Sequence, residues 1–65
     1  MTIERNSREI IKRLRRDGWV DAGATGSHHK FKHPDGRSLV VPHPKKDLPA
    51  GTARAIAKHA GWAKE

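Results

Sequence analysis

Cysteine is absent from this chain. Its absence excludes a disulfide staple, a thiolate zinc finger, an iron–sulfur cluster and a cysteine nucleophile. No apolar run approaches the ~18 residues that a membrane span needs. The first six residues, Met1 to Asn6, carry no apolar signal-peptide core, so the expected location is the cytoplasm. Acidic residues are few and scattered: Glu4, Glu9, Asp17, Asp21, Asp35, Asp47 and Glu65. No pair of them has the spacing to hold a divalent metal or to run a two-carboxylate hydrolysis. The phosphate-cradling pattern GxxxxGK[ST] is missing as well. With 65 residues, the chain is expected to form one domain over residues 1–65, with a thin core and no place for a large organic cofactor. A domain of this size buries roughly 60% of the surface that its unfolded chain exposes.

Positive charge is what the chain has in excess. Lys and Arg number 14 against 7 Asp and Glu, a formal net charge of +7. On so small a body this sets up a field that favours polyanions: nucleic acid, an acidic protein or an anionic membrane surface. Nucleic acid is the leading expectation.

The residue pattern predicts helix, three strands, helix. Asn6 and Ser7 are both good N-caps, and Glu9 stands where a capping box places its carboxylate. Ile10, Ile11 and Leu14 form one stripe, which Ile3 extends, and Gly18 supplies the stop. Arg8, Lys12, Arg13, Arg15 and Arg16 occupy the opposite arc, a face that is either simply solvated or a phosphate contact. A first strand is expected over Trp19 to Ala24, with a turn at Thr25-Gly26. In the run from Ser27 to His33, one alternating set is His28, Lys30 and Lys32, and the other is His29, Phe31 and His33. Pro34-Asp35-Gly36 reads as a turn, because Pro presets φ and Gly accepts positive φ. Ser38 to Val41 is the third strand, ended by Pro42. Three prolines then stiffen an irregular loop from Pro42 to Pro49. A second helix is expected from Ala50 or Gly51 to Ala60, burying Ala53, Ile56, Ala57 and Ala60. Gly61 ends it, and Trp62 is expected to fold back on the last turn as the apolar contact of a Schellman stop. Both helices are expected on one face of an antiparallel sheet, an α+β sandwich, since large apolar residues are too few to coat two faces.

The histidines carry the chemistry. His28, His29, His33 and His43 cluster in sequence, and His59 stands apart. On a strand, His28 and His29 point to opposite faces, and His29 and His33 lie about 13 Å apart at ~3.3 Å per residue. Neither pair can chelate one ion at ~2 Å, so no metal is expected. Acid–base chemistry beside bound phosphate fits better. His28 shares its strand face with Lys30 and Lys32, and an imidazole moves protons at neutral pH. RNA brings its own nucleophile, the 2′-OH, so a histidine and cations suffice to cleave it without metal. Lys45 and Lys46 are further phosphate-contact candidates. His43 is the candidate for a second proton-transfer group, against the plainer reading of a loop histidine held between prolines.

Four stretches together carry a family likeness: Gly26-Ser27-His28-His29-Lys30-Phe31; His33-Pro34-Asp35-Gly36-Arg37; Val41-Pro42-His43-Pro44-Lys45-Lys46-Asp47-Leu48-Pro49-Ala50-Gly51-Thr52; and Ala60-Gly61-Trp62. With Asp17-Gly18-Trp19 they make the chain resemble the HicA-type toxins, small mRNA interferases of prokaryotic toxin–antitoxin pairs. The resemblance runs from the end of the first helix to Gly61. It implies a double-stranded-RNA-binding-domain type of fold and ribosome-independent cleavage of mRNA. It implies that the histidine directly after Gly-Ser, here His28, is catalytic, and that a HicB-type antitoxin neutralises the protein. A non-catalytic RNA-binding module of the same fold is the alternative; the presence of His28 favours the enzyme.

Overall fold

The computed structural model describes residues 3–62. Its elements run α1 (Ser7–Arg16), β1 (Val20–Thr25), β2 (His28–Lys32), β3 (Ser38–Pro42) and α2 (Ala50–Ala60). The strands form one antiparallel sheet in the order β1-β2-β3. This is the expected α+β arrangement, with two consecutive hairpins making the sheet and β2 at its centre.

The core follows the apolar periodicity of each element. Ile10, Ile11 and Leu14 of α1 and Ala53, Ile56, Ala57 and Ala60 of α2 are all buried. All of these except Ala57 form one cluster with Phe31 of β2 and Leu39 and Val41 of β3, joined by Trp19 and Leu48 from the connections. Ile3 and Trp62 pack against the edge of this cluster. Small residues on α2 let that helix sit close to β3. Full burial of a side chain such as Phe31 or Leu14 contributes about 1.5–3 kcal/mol.

Helix ends show where tertiary contacts adjust the local rules. The Asn6 side chain caps α1, accepting from Arg8 N–H at 2.9 Å and Glu9 N–H at 3.4 Å. The returning bond comes from Glu4 rather than Glu9: Asn6 N–H donates to Glu4 Oε2 at 3.1 Å. Glu9 instead lies 3.9 Å from Lys12. Ser7 is no cap; it is 1% exposed and faces the loop after β3. At the far end of α2, Gly61 takes φ 80°. Its N–H reaches Lys58 C=O at 3.2 Å and that of Trp62 reaches Ala57 C=O at 2.8 Å. These are the two bonds of a Schellman stop. The Trp62 indole, however, turns to α1: Nε1 donates to Asp17 Oδ2 at 2.8 Å. The Arg13 guanidinium lies 4.3 Å from the centre of the Trp62 ring.

The strand limits differ slightly from expectation. Trp19 precedes β1 and is buried, while all six residues of β1 are exposed, as suits an edge strand. Thr25 pairs with His28, so the hairpin loop is Gly26-Ser27, one residue later than expected. Pairing of Asp21 with Phe31 and of Ala24 with His29 leaves Ala22 and Gly23 opposite Lys30 alone, a β-bulge. A bulge on the edge strand discourages pairing with another chain.

Candidate nucleic-acid interface

The two-residue loop makes His28 the first residue of the central strand, and strand alternation does the rest. His28, Lys30 and Lys32 are exposed on the face away from the helices, while Phe31 is buried on the helix side and His29 is half-buried there. Cross-strand partners share a face. Val40 pairs with Lys30, Val20 with Lys32 and Pro42 with His28. The open face is therefore a basic row flanked by apolar groups, with Val20 61% and Val40 41% exposed. Phe31, Trp19 and Trp62 all belong to the core side, so this face offers cations rather than an aromatic stacking platform.

His43 lies elsewhere. It follows Pro42, and the same alternation turns its ring to the helix side. There it meets His29 edge-on, with ring centroids 5.1 Å apart. Ser7 Oγ is 2.7 Å from His43 Nδ1 and accepts the Lys45 N–H at 2.8 Å. Ser7 Oγ thus bridges the Lys45 amide and His43 Nδ1, fixing the orientation of the imidazole ring. The structure brings His28 together with Lys30 and Lys32, and His43 together with His29 and Ser7. The Ser7–His43–His29 group was not legible as a unit, because residues 36 positions apart meet only once α1 packs on the sheet.

Lys45 and Lys46 are exposed on a tethered loop. Ser7 N–H donates to Lys45 C=O at 2.8 Å, and Leu48 N–H to Arg5 C=O at 2.7 Å. Arg5 Nε in turn donates to Leu48 C=O at 2.8 Å and lies 3.1 Å from Asp47 Oδ1. The segment before α1 and the proline-rich loop therefore run side by side, fixing where the two lysines leave the surface.

The cations divide into two groups. Arg5, Lys12, Arg13, Arg15 and Arg37 each have a carboxylate within 4.0 Å. Arg37 also donates to His59 C=O at 2.9 Å and lies 5.0 Å from the Trp19 ring centre. Among the described residues Arg8, Arg16, Lys30, Lys32, Lys45, Lys46, Arg54 and Lys58 have no such partner, so their charge is available to an external anion. In the β2–β3 turn, the Asp35 carboxyl is held below its ordinary value. The Arg37 backbone N–H is the main cause, and the Arg37 guanidinium and the His33 ring add to it.

Among the described residues no group of three or more His, Asp or Glu side chains converges in a way that could hold a metal ion. No helix among them is long and apolar enough to cross a membrane.

A three-stranded antiparallel sheet backed by two helices on one face, in the order helix–three strands–helix, is a small α+β domain of the double-stranded-RNA-binding type. Residues 7–62 match the family model described as HicA toxin of bacterial toxin-antitoxin. The match covers most of the chain, and the protein belongs to this HicA toxin family, a toxin with an antitoxin partner. No curated protein matches the chain.

Proposed function

We propose that this toxin is a metal-independent endoribonuclease that cuts mRNA in the cytoplasm without the ribosome and is silenced by a HicB-type antitoxin. The observation that carries the reading is His28: in a chain of the HicA family, an imidazole stands free at the start of the central strand, on one face with Lys30 and Lys32. Lys30, Lys32, Lys45 and Lys46 hold the phosphodiester and offset charge that develops on it. His28 takes the proton of the ribose 2′-OH. The 2′-oxygen attacks phosphorus, and the bond to the 5′-oxygen breaks. The departing oxygen takes its proton from solvent water, leaving a 2′,3′-cyclic phosphate and a 5′-hydroxyl. His43, whose ring is engaged by Ser7 and His29 on the helix side, is left in a supporting role.

The test is cleavage of single-stranded RNA by purified protein in excess EDTA. Cleavage is expected to persist, with cyclic phosphate at the new 3′ ends, and an all-deoxy strand of the same sequence is expected to bind but stay intact. Activity that needs added magnesium or zinc, or equal cutting of the deoxy strand, would overturn the mechanism. Binding of RNA with no cutting under any condition would leave a non-catalytic RNA-binding module.

A further inference from the structure

One cavity lies outside the His28 face. Between α1 and the sheet is an open cleft of about 420 Å³, lined by Arg8, Ile11, Lys12, Arg15, His29 and His43. Its lining holds three cations and two imidazoles and no carboxylate. Arg15 is drawn to Asp21, 2.9 Å away, and Lys12 lies 3.9 Å from Glu9. Such exposed pairs contribute little and exchange readily for a stronger anion. Arg8 has no carboxylate partner among the described residues. His43 is oriented from behind by Ser7 through Nδ1, so Nε2 is the ring nitrogen that Ser7 leaves unengaged.

We propose that this cleft is a second phosphate-binding subsite for the RNA strand, with Arg8 and Lys12 as its charged arms and His29 and His43 as its floor. The proposal rests on the ribonuclease reading for the identity of the ligand. Its position supports RNA over an acidic protein. His28 and His29 are consecutive, their Cα atoms ~3.8 Å apart, with one side chain on the open face and the other in the cleft. A strand of RNA that crosses the end of the sheet at this point meets His28, Lys30 and Lys32 on one side and the cleft on the other. The arginine fork suits two phosphate oxygens at once. The cleft would hold the chain beyond the bond being cut, and Arg8 and Lys12 are positioning residues.

The experiment uses a labelled 2′-O-methyl RNA oligomer, which binds but cannot be cut. Its affinity is measured by fluorescence anisotropy across a salt series for the wild type, the Arg8→Ala/Lys12→Ala variant and the Lys30→Ala/Lys32→Ala variant. Loss of two phosphate contacts is expected to weaken binding and to flatten the log–log salt slope by roughly 1.4, at ~0.7 per single-strand contact. Each pair is expected to do so independently of the other. In the wild type, the ring proton signals of both His29 and His43 are expected to shift during titration with the same oligomer. Unchanged affinity and slope in Arg8→Ala/Lys12→Ala, or static His29 and His43 signals, would overturn the subsite. Loss of antitoxin binding with RNA affinity intact would overturn it in favour of a protein-docking surface. Because the oligomer is uncleavable, a wild type that fails to cut ordinary RNA defeats the ribonuclease reading, and the binding series still decides the subsite.

Discussion

Replacing Ser7 by Ala removes a single oxygen that closes two bonds. Ser7 is 1% exposed, and its Oγ lies 2.8 Å from Lys45 N and 2.7 Å from His43 Nδ1. An orphaned buried polar group costs about 1–3 kcal/mol. The two partners here are partly reached by water, which places each near the lower end, for a sum of about 2 kcal/mol. Alanine's better helix propensity returns a few tenths of a kcal/mol. The net loss is then roughly 1.5–2 kcal/mol, against a total of about 3–10 kcal/mol for a domain of this length at ~0.05–0.15 kcal/mol per residue. At ~4–8 °C per kcal/mol, Tm is expected to fall by roughly 6–16 °C. Urea unfolding followed by the fluorescence of Trp19, which is 3% exposed, measures the change. Hydrogen exchange at the Lys45 amide is a local readout, since its partner is gone; faster exchange is expected there. A loss below ~0.5 kcal/mol, the range of ordinary surface substitutions, with Lys45 protection unchanged, would refute the idea that Ser7 ties the proline-rich loop to α1.

Two further predictions concern the turns and caps. Asn6→Ala removes the cap of α1 and is expected to cost about 1 kcal/mol, read as a lower urea midpoint with an unchanged slope; Glu9→Ala, whose carboxylate does not complete the box, is expected to cost much less. Asp35 titrates below its ordinary value of 3.8 in the folded protein, chiefly through the Arg37 N–H. Its contribution is therefore present above that pH and lost as pH falls through the depressed value. The stability gap between wild type and Asp35→Asn is expected to close as pH falls past 3.8 and through the depressed value; a gap that stays constant or widens on acidification would contradict this.

The elements were legible where the pattern is local. The stripe Ile10, Ile11, Leu14 and the face Ala53, Ile56, Ala57, Ala60 state which side of each helix is buried, and the alternation around Phe31 states which face of β2 is open. That placed His28, Lys30 and Lys32 together from sequence. The strand limits shift by a single residue, as at the Gly26-Ser27 loop, whereas the larger differences depend on residues distant in the chain. Glu4 displaces Glu9 as the carboxylate at the α1 cap, because the segment before the helix is held down by Leu48. The Trp62 indole also reaches Asp17 and Arg13, contacts made only once the ends of α1 and α2 meet in the fold. Arg13 therefore belongs to the fold as much as to the basic surface, and Arg16 is the cleaner probe of that surface. The pairing of His43 with His29 follows from strand alternation once the β2–β3 register is known, and Ser7 carried no signal beyond its capping propensity.

The central claim is that His28 performs the proton transfer and that its neighbour does not. Cleavage rate at saturating RNA, measured for His28→Ala and His29→Ala beside the wild type, tests it most directly, with circular dichroism and RNA affinity recorded for each. General acid–base catalysis is typically worth ~10²–10⁴-fold. His28 is an exposed side chain at a strand start, so His28→Ala is expected to keep its fold and bind RNA while losing at least ~10²-fold in rate. His29→Ala is expected to lose far less rate, with weaker RNA binding. Near-normal cleavage by His28→Ala, with the loss confined to His29→Ala, would show that the reaction belongs to the cleft side of the sheet and contradict the assignment.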